Sequence, residues 1–309
     1  MSSPSSSGLF TQPVDKSTAV QTEQTEFLPP ELMKAMNRVT EISSLPEITT
    51  RIVEVVEDPK STAQDMHDIV KHDPALAAKV LKVVNSAFYG LPSQIASLDR
   101  AIVMLGLSAV KNIALAASLS RLFRPGVISE RFAARDLWTH CISVGVCARM
   151  IAQYSFGQVE EAFVAGLVHD MGLLIEFQLF PEKLKAVAEK CEREPQNFCA
   201  VETEIIGADH QAFGAAMSAK WKFPPGLRCA ISYHHNPESL KPELRKIVTA
   251  VQVADTICSQ NELGFYLTAQ HQQVTDEMLE YVGVGGASIA ELLEALPDRI
   301  KETEQIFGE

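Results

Sequence analysis

The amino-acid sequence predicts an all-α protein, a helical bundle in two parts. From Pro29 onward, apolar residues recur three and four positions apart through nearly all of the chain, which is the spacing of one helix face. Prolines and small polar residues divide this pattern into short segments, as they do where helices begin and end. No stretch shows the sustained alternation of apolar and polar residues that is typical of strands.

Charge and composition exclude several classes of partner. Hydrophobic residues make up 46% of the 309 residues and charged residues 21%, which is ordinary for a globular protein with a core. The net charge is −12, and there is no long run of Lys or Arg. An acidic surface disfavours sequence-independent binding to nucleic acid or to an anionic membrane, so we expect neither as a partner.

The cysteines and the N-terminus predict a reduced, cytoplasmic protein. None of the six cysteines forms a CxxC pair or a zinc-finger spacing. The N-terminus lacks the positive segment and apolar core of a signal peptide. The most membrane-like stretch runs from Ala101 to Phe123, but Lys111, Asn112 and Arg121 interrupt it. We interpret it as a buried helix pair.

The N-terminal third divides into a tail and a group of short helices. Residues 1–26 are rich in Ser, Thr, Gln and Pro and predict a disordered tail, because they cannot bury enough apolar surface to offset the entropy of ordering. Residues 27–124 then predict a compact bundle of about six short helices. The segments with helical spacing are 29–42, 47–59, 63–73 and 74–88, followed by 98–123, which reads as two helices that meet near Gly106.

Longer helices follow the tripeptide Arg124-Pro125-Gly126, the best internal boundary. Residues 125–260 form the second helical part, and residues 261–309 a C-terminal helical extension. In the second part we expect helices at 129–154, 158–170, 181–192, 197–206, 209–221, 225–235 and 241–260. In the extension we expect helices at 276–282 and 287–307, the latter amphipathic.

Two acidic residues fall on apolar helix faces, where a carboxylate is costly unless it is paired or binds a metal. The run AFVAGLVHDMG (162–172) places His169 and Asp170 near the inner end of a buried helix. Asp255 lies on an apolar stripe in the helix 241–260. A metal, a strong hydrogen-bond donor or a buried salt bridge would each satisfy Asp255.

Four further histidines fall at helix ends or inner faces in the same half of the chain. His140 lies beside an apolar stripe, and His210 follows a candidate N-cap. His234 and His235 end a helix before Asn-Pro; because neighbours on a regular helix point about 100° apart, at most one of them should face a given metal squarely. Each alone fits a core or surface histidine. Together with the two acids they suit one or two divalent ions of Fe, Mn, Zn or Mg, with no organic cofactor.

The order of these residues resembles that of the HD superfamily of metal-dependent phosphohydrolases. In that superfamily a His, a His-Asp pair and a final Asp hold one metal, and further histidines hold a second. The motifs HDPALAAKVLKVVNSAFYG, IASLDRAIVMLG, AGLVHDMG and YHHNP are similar to one branch, the HDOD domain of bacterial signalling proteins, over roughly residues 40–240. The resemblance implies a small N-terminal helical subdomain packed on an HD-type helical domain. It implies these metal ligands: His140, His169, Asp170, His210, His234, His235 and Asp255.

Two departures bear on activity. The HD-GYP phosphodiesterases carry HDxGK, whereas Leu173 occupies the place of that Lys here, and no GYP signature follows His235. The resemblance therefore favours a stand-alone signalling protein that binds a protein partner or a ligand without turnover. The alternative is a metal-dependent phosphohydrolase acting on a nucleotide or cyclic nucleotide, with Asp170 bridging two ions that activate water. A third possibility is a purely structural network of histidines and carboxylates without metal.

Overall fold

A computed structural model describes residues 28–38, 45–86, 89–122 and 126–307. The expected disordered tail, residues 1–26, lies outside these ranges, as do Arg124 and Pro125 of the expected boundary. The prediction of an all-α fold is confirmed: within the described ranges the chain forms helices and turns, and the only pairing of β type is an isolated bridge between Val127 and Ala133.

The N-terminal part consists of short helices whose ends follow the sequence signals. Thr62 caps α3 in a reciprocal arrangement with Asp65, which satisfies two backbone donors at once. Pro74 opens α4, and Asp73 caps it by accepting a hydrogen bond from the Leu76 amide at 2.9 Å. In the described part of this region the helices are α1 Pro30–Arg38, α2 Glu47–Glu57, α3 Ala63–Val70, α4 Pro74–Val84, α5 Leu98–Leu105 and α6 Leu107–Leu119.

Helix α6 joins the two parts of the molecule. It is buried from Val110 to Leu119 and packs against α2, α4 and a helix of the second part, α8 (Val159–Val168). Gly106, with φ of +87°, makes the sharp turn from α5 into α6, a conformation that other residues adopt only at a cost. The expectation that two helices meet at this glycine is confirmed.

The second part contains a long central helix surrounded by shorter ones. These helices are α7 Ala134–Tyr154, α8 Val159–Val168, α9 Met171–Leu179, α10 Pro181–Arg193, α11 Phe198–Ile205, α12 His210–Lys220, α13 Pro225–Tyr233 and α14 Pro242–Gln260. Two expectations were wrong. The helix expected from residue 129 begins at Ala134, because residues 128–132 close a turn in which the Ile128 amide donates to Phe132. Helix α9, inside an apolar run, was not expected.

Helices α7 and α8 cross at very short range because each carries a glycine at the crossing. A Cβ on Gly166 would lie 2.8 Å from the Cα of Gly145, closer than real side chains approach. The small residues let the two backbones touch and bring the histidine of α7, His140, toward the C-terminal end of α8, where His169 follows.

The C-terminal extension packs against both parts. After an irregular segment it forms α15 Asp276–Val282 and α16 Gly286–Phe307, within one residue of the expected bounds. Helix α16 lies against α7 and α4. At its end the Phe307 ring contacts Trp138 and Phe163, and Lys82 donates to the Gln305 carbonyl at 2.9 Å.

One described segment, Val159–Leu179, is long and apolar enough to cross a membrane by composition alone. It comprises α8, the His169-Asp170 turn and α9, and 83% of its apolar window is buried inside the fold. Burial of this extent is what a core helix pair shows. The stretch expected to be most membrane-like, 101–123, is interrupted at Gly106 and does not pass the same test among the described residues.

Candidate metal centre

Asp170 lies in a two-residue turn between two buried helices. Helix α8 ends at Val168 and α9 begins at Met171, so His169 and Asp170 form the corner and both are fully buried. A Cβ on Gly172 would overlap the carbonyl oxygen of His210. The glycine therefore allows the start of α9 to touch the start of α12, which brings His210 to Asp170.

Two histidines on the α7 and α8 side have their ring protons fixed by backbone carbonyls. Nδ1 of His140 lies 3.0 Å from the Leu263 carbonyl oxygen, and Nδ1 of His169 lies 2.6 Å from the Gly166 carbonyl oxygen. A carbonyl can only accept, so Nδ1 carries the proton in both rings. In the neutral form of each ring, Nε2 then presents a lone pair to the interior, as a metal ligand does.

Two histidines on the opposite side are held in the same way. Nδ1 of His234 donates to the Ala230 carbonyl at 2.9 Å, and Nδ1 of His210 donates to the Glu202 carboxylate at 2.8 Å. Their Nε2 atoms lie 3.3 Å apart. Two lone pairs at this distance repel each other unless a proton or a cation lies between them.

The inward atoms form two groups joined by Asp170. Its Oδ2 faces the first group, 3.4 Å from His169 Nε2 and 3.9 Å from His140 Nε2. Asp255 completes this group, with Oδ1 3.0 Å from His140 Nε2 and 3.9 Å from His169 Nε2.

The other oxygen of Asp170 faces the second group. Its Oδ1 lies 3.4 Å from His210 Nε2 and 3.3 Å from His234 Nε2. His235 Nε2 lies 3.2 Å from His210 Nε2. All seven residues implied by the resemblance are therefore in one cluster, and one carboxylate presents a separate oxygen to each half of it.

These residues fit one or two divalent metal ions. Ligand atoms about 2.0–2.2 Å from an ion lie about 3–4 Å from one another, and the separations in both groups fall in that range. Four buried ligand atoms have no hydrogen-bond partner among the described residues: His169 Nε2, both oxygens of Asp170, and Asp255 Oδ2. Buried polar atoms are rarely left unpaired, so the cluster has both the ligand types and the unpaired buried atoms that are typical of a metal site.

The electrostatics of the cluster keep Asp170 ionised. Burial by itself would raise the pKa of this carboxyl group, but the facing rings of His169, His234 and His210 outweigh it and hold the pKa well below the usual range. Burial lowers the pKa of His235, and the neighbouring rings of His234 and His210 lower it further. An ionised carboxylate surrounded by imidazole rings suits a cation.

Both members of the His234-His235 pair reach the cluster, although the sequence predicts that at most one of them faces a given metal squarely. That expectation assumed a regular helix, whereas α13 ends at Tyr233 and the pair lies in the turn that follows. His235 also approaches the first group, with Nδ1 3.8 Å from Asp255 Oδ2.

Two buried acids that support the cluster were missed in the sequence. Glu202 accepts from both the ring and the backbone amide of His210, and the carboxyl group of Glu176 interacts electrostatically with that of Glu202. Both side chains are fully buried. Two sequence signals could have found them: Glu202 follows Phe198 by four positions on the buried face of α11, and Glu176 is the one acid in the apolar helix α9.

The cluster is closed to solvent on nearly every side. Six of its seven side chains have no exposed surface, and the side chain of His235 is 8% exposed. The side chain of His235 also lines a surface cavity.

Comparison with solved structures places this architecture among known folds. An HDOD domain protein of unknown function from Geobacter sulfurreducens superposes with a TM-score of 0.74 at 22% identity, covering 89% of this chain and 97% of that one. A candidate phosphohydrolase from Shewanella amazonensis SB2B gives 0.68 at 23% identity, covering 91% and 99%. A candidate signal transduction protein from Marinobacter aquaeolei VT8 gives 0.72 at 23% identity, covering 90% and 65%. At these identities the likeness concerns the fold.

Sequence comparison agrees with the comparison of structures. An uncharacterized protein of Treponema pallidum (strain Nichols) is 25% identical over 245 residues, a match that covers 77% of this chain and 46% of that protein. The chain thus spans about half the length of the curated relative it matches. Residues 42–237 match the HDOD domain family. This matched range includes five of the helices that build the cluster, but it ends before Asp255. The chain belongs to the HDOD domain family.

Proposed function

We propose that the protein is a signalling module that binds metal in a buried centre and responds to a protein partner or a small ligand without phosphoester turnover. The observation that carries this proposal is the closure of the cluster. A phosphoryl group must reach the metal ions to be hydrolysed, whereas six of the seven ligand side chains have no exposed surface.

The residue that replaces a Lys of the hydrolytic relatives supports the same function. Leu173, three positions after Asp170, is fully buried among apolar side chains of α9. A Lys in that place would supply a cation for a substrate phosphate. Leu173 offers no charge, so a bound phosphoester would have only the metal centre to neutralise it.

In this function the metal connects distant parts of the fold. His140 and Asp255 come from α7 and α14, His169 and Asp170 from the α8–α9 turn, and His210 from the start of α12. When bound, a divalent ion supplies positive charge that offsets the two buried carboxylates. The helices are then held at a fixed spacing, and the binding of a partner at their surface can depend on that spacing.

A second function is favoured by one specific observation, the way Asp170 presents Oδ1 and Oδ2 to separate histidine groups. A carboxylate placed in this way could hold two divalent ions together with the two histidine groups, and such ions would supply Lewis-acid chemistry toward a phosphoester. In that function Asp170 would be the essential catalytic residue.

Metal content and hydrolysis, measured on the same preparations, distinguish the two. The full chain is purified without a polyhistidine tag, beside Asp170→Ala and the control Asp99→Ala, which alters an exposed acid on α5. We expect about one or two metal ions per chain in wild type and Asp99→Ala, about none in Asp170→Ala, and no hydrolysis of phosphomonoesters or cyclic dinucleotides in any of them. Hydrolysis lost only in Asp170→Ala would establish the second function. Absence of metal from wild type, even after incubation with Mn²⁺ or Fe²⁺, would exclude both.

A further inference from the structure

A cavity of about 430 Å³ opens beside the metal cluster. Its walls come from α11, α12, α14 and the irregular segment around residues 271–273, and His235 forms part of its floor. The segment and α14 lie beyond the residues that match the HDOD family, so this cavity depends on the part of the chain that the family comparison does not cover.

The lining of the cavity is built almost entirely from uncharged polar groups. None of its described lining residues is Lys, Arg, Asp or Glu. Six of the ten are carboxamides: Asn197, Gln211, Asn236, Gln252, Gln272 and Gln273. Each carboxamide offers a donor and an acceptor side by side, and the set lacks the cations that a polyanion needs.

Three of these glutamines hold His235 in place. Oε1 of Gln211 accepts from the His235 backbone amide at 3.1 Å, and the Gln272 amide lies 2.7 Å from His235 Nδ1. The third contact is weaker, because Nε2 of Gln252 is 3.4 Å from the His235 carbonyl oxygen. A molecule that binds the glutamines therefore also acts on a residue of the metal cluster.

Two polar atoms of this lining are buried without a partner in the described structure. Gln252 is 7% exposed, and its Oε1 accepts no hydrogen bond; Nδ1 of His271 is likewise unpaired. An orphaned buried acceptor costs about 1–3 kcal/mol, and such atoms are commonly satisfied by a ligand or water. Both residues line the cavity, and their unpaired atoms lie just behind its surface.

We propose that this cavity binds an uncharged nucleobase or nucleoside, and that His235 connects its occupancy to the metal cluster. The edge of a nucleobase carries adjacent donors and acceptors, which Asn and Gln side chains match in pairs. The volume lies within the range of small-ligand sites. The proposal rests on the signalling function described above, since it names the class of ligand to which the module responds.

Calorimetric titration of the full-length, untagged protein tests the proposal. The probes are adenosine, guanosine, cytidine and uridine, each beside its 5′-monophosphate and with ribose as the blank. We expect at least one nucleoside to bind, its monophosphate to bind no more tightly, and ribose not to bind. Failure of all four nucleosides to bind would overturn the proposal, as would a monophosphate that binds about tenfold more tightly than its nucleoside.

Variants show whether binding occurs in this cavity. Gln252→Met, nearly isosteric, removes one carboxamide of the cavity lining and should weaken binding about tenfold or more. His271→Leu, on the irregular segment, removes the second unpaired atom and serves where Gln252→Met folds poorly. The control is Gln64→Met, an exposed amide on α3. Nucleoside affinity unchanged in both cavity variants would contradict the assignment.

Metal analysis of the same samples separates this proposal from the function on which it rests. Nucleoside binding by a wild-type protein without metal would retain the cavity and exclude the metal centre. A metal-loaded protein that binds no nucleoside would retain the metal centre and exclude the ligand proposed here.

Discussion

At the scale of the residue, His210 differs from the other histidines of the cluster in what holds it. His140, His169 and His234 donate Nδ1–H to backbone carbonyls, whereas His210 donates to the buried carboxylate of Glu202. A carboxylate partner raises the basicity of the inward nitrogen more than a carbonyl does, and such partners commonly set the affinity of a metal site.

Glu202→Gln is therefore expected to weaken metal binding while the fold persists. Burial raises the pKa of Glu202 well above its ordinary 4.5, so the side chain is charged only above that raised value. The amide oxygen of the variant can still accept from His210 Nδ1, but the negative charge behind the ring is lost, so above the raised pKa metal affinity should fall about tenfold or more. Competition with a chelating dye measures it. Glu204→Gln, on the same helix but exposed and paired with Lys190, is the control. Equal affinities in wild type and Glu202→Gln would show that Glu202 only fills space.

Glu176 provides a test that depends on pH. Burial, and then the charge of Glu202, raise the pKa of Glu176 well above its ordinary 4.5, so the folded chain holds a proton that the unfolded chain releases above that value. Because the folded state binds more protons between the two pKa values, this group lowers the free energy of unfolding as pH rises through that window.

In Glu176→Gln the neutral amide replaces the protonated acid at every pH. Near pH 4.5 the variant should have a urea midpoint close to that of wild type. As pH increases, the midpoint of the variant should exceed that of wild type by a growing margin, and the margin should become constant above the raised pKa of Glu176. Denaturation at a series of pH values measures the difference, with Glu204→Gln as the exposed control. A difference independent of pH would mean that Glu176 is ionised in the folded protein.

The two acids also mark how far sequence reasoning reaches at this scale. Asp170 and Asp255 could be identified because each interrupts an apolar stripe and matches a family motif. Glu176 and Glu202 match no such motif, and their roles depend on a contact between α9 and α11 that local periodicity does not contain. Pairing of two buried carboxyl groups is a property of the tertiary structure.

At the scale of the element, most helices could be located from the sequence and the turn at the centre of the site could not. Capping residues and prolines located α2 to α4, and Gly106 marked the junction of α5 and α6. The corner at His169-Asp170 is only two residues long and has apolar runs on both sides, so periodicity showed one helix and then a gap where the structure has α8 and α9. The polar corner inside the apolar run was itself the signal.

The contact between α9 and α12 predicts the effect of a small substitution. In Gly172→Ala the new methyl group would overlap the carbonyl oxygen of His210, so the two helix starts must separate. We expect a loss of about 1–3 kcal/mol in the free energy of unfolding, together with weaker metal binding, because His210 moves away from Asp170.

The matched control is Gly226→Ala, in the first turn of α13, where a Cβ meets nothing within 4 Å. Its stability should stay within about 0.5 kcal/mol of wild type. Urea denaturation and metal titration of both variants provide the measurements. A Gly172→Ala protein with unchanged metal affinity would show that the cluster does not depend on the spacing of α9 and α12.

At the scale of the whole molecule, the site is assembled from residues far apart in the chain. His140 and Asp255 are 115 positions apart in the chain, yet Nε2 of His140 lies 3.0 Å from Oδ1 of Asp255. The spacing of the two residues along the sequence does not predict that they are close. Their proximity was inferred from the resemblance to the HD superfamily. The C-terminal extension takes part as well, because its Leu263 and Gln272 hold His140 and His235.

This assembly predicts that metal stabilises the whole fold and not only the site. The ligands come from α7, the α8–α9 turn, α12, the end of α13 and α14, so unfolding of any of these elements releases the metal. A ligand that binds only the folded state adds about 2.7 kcal/mol to the free energy of unfolding at a free concentration one hundred times its Kd. Removing the metal also leaves the buried carboxylates Asp170 and Asp255 without a cation, which destabilises the folded chain further.

Differential scanning calorimetry with and without a chelator measures this contribution. The melting temperature of wild type should fall by several degrees on chelation and recover when the metal is returned, whereas that of Asp170→Ala should be low and indifferent to the chelator. Asp99→Ala should behave as wild type. If chelation leaves the wild-type melting temperature unchanged, protons rather than metal ions satisfy the inward lone pairs, and the histidines and carboxylates form a hydrogen-bonded core.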